Sequence, residues 1–391
     1  MYLRLVRDLE ELALFGGPQA SDRWIPMAKP IFSEKTKTDV CKVLDSGNLR
    51  QGESTRLFEE RFREMTGARY SYAVSSGTAA LHTSYMSFLS PGDQVIVPAF
   101  TFFSTVSTIL LCQGRPVFAD IDPDTLLIDV ECVKEKITEE TRSITPVHIF
   151  GNAADMTALR DLGEDHDLII LSDCAQAQGT SYKGRDVGSL DDLNCFSFYP
   201  SKIMTTGEGG MVTTNSPELH RRGTLIRNHG ELDRYNHVVL GLNYRMTEIE
   251  AIIGLNQLEQ LNLHLSKRRR ADRVLRKGLT SVEAVRPQRV NAGVNPSCCY
   301  FTVILDPEVL KCAREEFMAA LRAENIDCAV HYPSSVNRQP AIKNLMESEP
   351  CPVADDVSKR ALSLPIHPSL SDEDLSAIIE AVTKVSGYYQ I

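Results

Sequence analysis

A chain of 391 residues and 43.5 kDa is longer than a single hydrophobic core usually serves, so two domains are expected. Its 42% hydrophobic and 24% charged residues describe an ordinary globular protein. A formal net charge of −10 speaks against a nucleic-acid or anionic-membrane footprint.

The first ten residues, Met1 to Glu10, mix apolar and charged side chains at helical spacing and lack the continuous apolar stretch of a signal peptide. No later run reaches membrane-spanning length, so a cytoplasmic protein is expected. From about residue 32 to 255, short apolar strands alternate with amphipathic helices. Strands are predicted at Tyr70–Val74, Gln94–Val97, Arg115–Phe118, Ser143–Val147, Leu168–Leu171, Cys195–Phe198 and Gly210–Thr214. Several are almost wholly apolar, as strands covered on both faces must be. Their alternation with helices predicts an α/β fold with a mostly parallel, doubly wound sheet, whose ligands sit at the carboxyl ends of the strands.

Around Arg245–Arg276 the pattern becomes long and helical, with Ile249, Ile252, Ile253, Leu255, Leu258, Leu261, Leu263 and Leu265 as an apolar stripe. The basic run Lys267-Arg268-Arg269-Arg270 in it reads as a solvated helix face. Beyond it, Tyr300–Leu305 reads as a strand, Pro307–Glu324 as a helix, Cys328–His331 as a strand and Asp372–Val385 as a terminal helix. The expected division is a large domain over 1–258 and a smaller α+β domain over 259–391. Ten cysteines are scattered with no CxxC pair, which suits neither a metal clamp nor a disulfide framework; most should pack as small hydrophobes.

The chemistry concentrates where strands end. Ser75-Ser76-Gly77-Thr78 follows the first strand and opens a helix, where free backbone N–H groups attract an anion; an ordinary N-cap would look the same. Phe102, in Thr101-Phe102-Phe103, can stack on a flat ring or belong to the core. Asp173 ends the apolar run Leu168–Leu171. A carboxylate there is costly unless it meets a cation, and a pyridinium, a metal or a structural arginine would each serve. Gln176, one turn on, can bond a phenolic oxygen, while Gln178 reads as a possible surface amide. Ser197 can bond a phosphate, and Lys202 sits in the turn before Gly207-Glu208-Gly209-Gly210. A lysine able to form an imine with an aldehyde, paired with a carboxylate able to keep a pyridine nitrogen protonated, describes a pyridoxal phosphate site.

These segments resemble the DegT/DnrJ/EryC1/StrS sugar aminotransferases, a family of pyridoxal phosphate enzymes of fold type I. The likeness runs through SSGTAALH at 75–82, PAFTFFST at 98–105, FADIDPDTLLID at 118–129, PVHIFG at 146–151 and DCAQAQG at 173–179. It continues in FSFYPSK at 196–202, GEGGMV at 207–212, RNHG at 227–230, GLNYRMTEIEAIIGLNQL at 241–258 and SLPIHPSLSDEDL at 363–375. The resemblance implies that Lys202 carries the cofactor, Asp173 bonds its ring nitrogen, Phe102 stacks on the ring, Ser76, Gly77, Thr78 and Ser197 hold the phosphate, and Gln176 meets the ring hydroxyl. It implies that Asn243 reaches the phosphate of a neighbouring subunit, so that a homodimer shares its sites. His331 resembles a substrate-side residue, and His148 and His229 fall in other family motifs, where packing is an equal reading. Arg338, in Ser334–Pro340, faces either the acceptor's anionic part or solvent.

The implied reaction moves an amino group from glutamate or glutamine to a keto-sugar, most often nucleotide-linked. The start Leu12-Ala13-Leu14-Phe15-Gly16-Gly17-Pro18 is similar to members acting on keto-inositols and aminoshikimate-type rings, which keeps those acceptors open. The related sugar 3-dehydratases carry histidine where this chain has Lys202. A non-catalytic regulator, the other alternative, finds no helix-turn-helix or basic face in its support. No metal is expected.

Overall fold

Hydrophobic patterning and helix punctuation build the large domain in chain order. The computed structural model describes residues 12–390, so the reading of Met1–Glu10 lies outside it. Helices α1 (Glu34–Ser46) and α2 (Glu53–Thr66) come first, each closed by a left-handed glycine, Gly47 and Gly67. Then follow β1 (Tyr70–Val74), α3 (Gly77–Met86), β2 (Gln94–Pro98), α4 (Ser104–Leu111), β3 (Arg115–Ala119) and α5 (Val130–Lys136). Next are β4 (Thr141–Ile144), α6 (Met156–His166), β5 (Ile169–Asp173), β6 (Leu193–Ser197), β7 (Gly210–Thr214), α7 (Pro217–Arg227) and the long α8 (Glu248–Gly278). A reciprocal capping box between Thr247 and Glu250 starts α8.

The seven strands form one sheet in the order β1-β7-β6-β5-β4-β2-β3. Strands β2 to β6 pair in parallel, β7 runs against both its neighbours, and β1 therefore points the same way as the rest. Every residue of β2, β6 and β7 is buried, the expected result for strands with no wet face. This is the mostly parallel sheet that the alternating pattern predicts.

A second sheet carries β8 (Val285–Pro287), β9 (Phe301–Leu305) and β10 (Ala361–Leu364) in an antiparallel order β8-β9-β10. Helices α9 (Arg314–Ala323), α10 (Pro352–Arg360) and α11 (Asp372–Tyr389) accompany it. Two buried clusters result. One surrounds the large sheet; the other joins Leu12 and Ile25 to Leu275, Phe301, Phe317, Leu321 and Val382. Among the described residues, no helix is long and apolar enough to cross a membrane. All ten cysteines are free and six are buried, as small hydrophobes.

Four sequence expectations are corrected. The basic run is not a uniformly solvated face: Arg268 is 3% exposed and its Nη1 donates to the carbonyls of Cys298, Cys299 and Ile366. The expected apolar stripe of α8 includes the exposed Leu263, while Asn256, Gln257, His264 and Arg268 are buried in its place. The helix expected from Pro307 begins only at Arg314, because Val309 and Leu310 turn back onto the Asp306 carbonyl. Cys328–His331 makes a single bridge, Ala329 to Ser363, rather than a strand.

Candidate active site

Because β1, β2, β5 and β6 point the same way, the segments following them meet at one edge of the sheet. They enclose a cavity of about 470 Å³. Ser76, Gly77, Thr78, Phe102, Asp173, Gln176, Ser197, Lys202 and His331 all line it, so nine of the twelve candidate residues are brought together. Asn243, His229 and Arg338 are not among its walls. Asn243 and His229 lie on the exposed outer side, linked through the bridge from Asn228 to Asn243 and the His229 N–H to Leu242 bond. Arg338 forms a two-pronged ion pair with Asp355, at 2.8 and 3.0 Å.

At one end of the cavity stands the start of α3. Ser76 caps α3 by accepting from the Ala79 N–H at 3.0 Å, which leaves the Gly77 and Thr78 amides at the positive end of the helix. A Cβ on Gly77 would lie 2.6 Å from Cβ of Ser197, so only glycine lets the helix start reach that serine. Gly210 is held as closely: a Cβ there would meet the Ser76 carbonyl oxygen at 2.3 Å. Ser197 is fixed in turn by Gln178, whose Nε2 donates to the Ser197 carbonyl at 2.5 Å. Gln178 is fully buried, which corrects its reading as a surface amide.

At the other end stands Asp173, 5% exposed. Its Oδ1 accepts from the Ala175 N–H at 3.0 Å and its Oδ2 from the Thr105 hydroxyl at 2.8 Å. Burial raises the proton affinity of this carboxyl, while Ala175, Thr105 and the charge of Lys202 pull it down. Between the two ends, Phe102 is 55% exposed and faces the cavity, whereas Phe100 is core. Phe102 is therefore not a core side chain, and its ring is open to the cavity. An aromatic ring, a helix N-terminus beside Ser197, a buried carboxylate and a lysine lining one cavity are a donor set that fits pyridoxal phosphate.

Tyr300, His331 and Tyr332, from the chain beyond α8, supply the remaining wall. Tyr300 stacks on His331 at 4.2 Å, and the Lys202 Nζ lies 6.0 Å from the Tyr300 ring centre. His331 bonds Ser363 through Nδ1 at 3.1 Å, and burial together with the Lys202 charge brings it down to about 4, so the ring is neutral. Tyr332 accepts from the Gln176 Nε2 at 2.9 Å, while the Gln176 Oε1 accepts from the Phe150 N–H at 2.6 Å. Thr105, Tyr300 and Tyr332 were not singled out from sequence. Thr105 carried a signal as the last residue of the motif at 98–105, and Tyr332 as the neighbour of His331 in Val330-His331-Tyr332-Pro333. His148 is fully buried, outside the cavity walls, and takes the Ala154 N–H at 3.3 Å, which is a packing arrangement.

The sequence pattern of the DegT/DnrJ/EryC1/StrS aminotransferase family matches residues 30–383. The chain belongs to that family. It is 35% identical, over 89% of its length and 92% of the other, to UDP-N-acetyl-3-dehydro-alpha-D-glucosamine 3-aminotransferase of Acidithiobacillus ferrooxidans. It is 34% identical to GDP-perosamine synthase of Escherichia coli O157:H7, covering 93% of this chain and 98% of that one. Its fold is similar to Helicobacter pylori PseC, an aminotransferase involved in pseudaminic acid biosynthesis. The TM-score is 0.88 at 28% identity, covering 93% of this chain and 100% of PseC. The protein is a pyridoxal phosphate-dependent aminotransferase.

Proposed function

We propose that this aminotransferase moves an amino group from glutamate or glutamine to the keto carbon of a nucleotide-linked sugar. The observation that carries the reading is the meeting of Lys202, Asp173 and the Gly77–Ser197 cradle in one cavity, on a chain whose relatives are named for UDP- and GDP-linked sugars. When bound, pyridoxal phosphate supplies the aldehyde that takes the amino group and the ring that accepts electron density from Cα. The protein does the rest. Gly77, Thr78 and Ser197 anchor the phosphate, and Phe102 fixes the ring plane. Asp173 holds a proton at the ring nitrogen. Lys202 Nζ removes the Cα proton of the donor, acting as the general base. Neutral His331, stacked on Tyr300, faces the acceptor. Asn243, exposed on its own subunit, reaches the phosphate of a partner in a two-fold dimer.

The test is a half-reaction screen. The enzyme is loaded with amine from glutamate or glutamine, then offered nucleotide-linked 3-keto and 4-keto sugars, free keto-sugars and keto-inositols in turn. Recovery of the visible cofactor band with a nucleotide-linked ketone supports the reading, and recovery only with a keto-inositol replaces it.

A further inference from the structure

Behind Asp173 lies a pair of hydroxyls. Thr105 Oγ1 is 2.8 Å from Asp173 Oδ2 and 2.9 Å from Thr101 Oγ1. Both threonines are buried, at 0% and 3% exposure, and Thr101 also borders the cavity. We propose that this pair is a proton-ordered relay that fixes the orientation and charge state of Asp173, with Thr105 as its positioning residue. The proposal rests on the reading of Asp173 as the partner of the cofactor's ring nitrogen.

A threonine hydroxyl has one proton to give. When Asp173 is ionised it has none, so Thr105 must donate to Oδ2. The proton of Thr105 is then spent, and the contact to Thr101 must use the hydrogen of Thr101. When Asp173 is protonated through Oδ2 the order reverses: Asp173 donates to Thr105 and Thr105 to Thr101. The two arrangements need no movement of heavy atoms. They differ in strength, because a hydroxyl given to a carboxylate is a charge-assisted bond and the reversed bonds are neutral. The relay therefore favours the charged carboxylate, against the burial that opposes it.

Orientation follows from the same contacts. Oδ1 is held by the Ala175 backbone after β5 and Oδ2 by Thr105 in the first turn of α4, so two elements pin the carboxyl plane. The titratable neighbours of Asp173 are Lys202, Tyr85, Tyr332, Cys174 and Cys195. Burial pushes the two phenols and two thiols up, which keeps them neutral. His148, whose N–H donates to the Asp173 carbonyl, is brought down to about 4 by burial and is neutral too. Among the described residues, Lys202 is the charged neighbour that acts on Asp173, and it lines the cavity. Thr105 is left as the device on the far side.

Removing it shifts the shared proton from the ring nitrogen toward Asp173. The experiment loads each variant with pyridoxal phosphate carrying an isotopically labelled ring nitrogen and reads that nitrogen's resonance across pH, beside kcat and KM. In Thr105→Val, which keeps the side-chain shape, the signal should move from the pyridinium toward the pyridine position, with kcat down about tenfold or more and KM changed less. Thr105→Ser should restore both. Thr101→Val should move the signal the same way by less, and it decides the matter if Thr105→Val fails to fold. Asp173→Asn is the reference for complete loss. A resonance unmoved by Thr105→Val, or by Thr101→Val in its place, while Asp173→Asn moves it, overturns the relay and leaves the Asp173 reading standing. A resonance unmoved by Asp173→Asn overturns both.

Discussion

A methyl group on Gly77 would sit 2.6 Å from a carbon of Ser197, inside the closest approach of real Cβ atoms. Gly77→Ala must therefore push the start of α3 away from Ser197 and spoil the phosphate cradle. Overpacking of this kind costs roughly 1–3 kcal/mol, so cofactor affinity should fall about tenfold or more while the apoprotein still folds. Titration of the visible band measures it, and an unchanged Kd would show that the phosphate lies elsewhere. Lys202→Ala removes the covalent anchor and the proton carrier together, so transamination should drop by several orders of magnitude, roughly, with the cofactor still retained through the cradle and Phe102. Turnover within about tenfold of wild type would contradict the role given to it. These residues were legible in the sequence because each sits just past an apolar strand, where the chain has little freedom in where it points. Tyr300 was not, since it reaches the cavity from the start of a strand in a second sheet, a placement that no local pattern announces.

Elements tell a similar story. The seven strands of the main sheet were readable because each is a short apolar run between helical patterns, and only their ends moved by a few residues. Helix α8 was readable as a helix but not for which face it buries. A guanidinium and a surface arginine look alike in sequence, yet Arg268 spends its Nη1 on three carbonyls at 2.8 to 3.3 Å. Arg268→Met should leave those carbonyls without a donor and lower stability by about 2–4 kcal/mol, whereas Lys267→Ala, next to it and exposed, should change it by less than about 0.5 kcal/mol. Chemical denaturation of the two variants checks the contrast, and equal effects would mean that the carbonyls find other partners. The strand expected at Cys328–His331 failed for a related reason: an apolar stretch can be buried by neighbours without pairing along its length.

For the whole molecule, two measurements matter. If Asn243 completes a partner's site, Lys202→Ala and Asn243→Asp chains, each inactive alone, should form heterodimers on exchange that each regain up to about half the activity of a wild-type dimer. No recovery, with exchange shown by mass spectrometry, would place Asn243 in its own chain's service. The second measurement is acid sensitivity. His148 is buried and brought from 6.5 to about 4, so the folded protein binds its proton only below that value while the unfolded chain binds it below 6.5. The stabilisation is complete above pH 6.5 and is lost as the pH falls toward 4, by about 3 kcal/mol for this group. Unfolding free energies from pH 7 to 4 should show the slope, and His148→Gln should flatten part of it. The layout of the cavity also sets an order in time. A chain synthesised as far as Gly278, where α8 ends, already carries Gly77, Phe102, Asp173, Ser197 and Lys202, but not Tyr300, His331 or Tyr332. On the ribosome, then, these five residues are synthesised before the three that close the cavity from the other side.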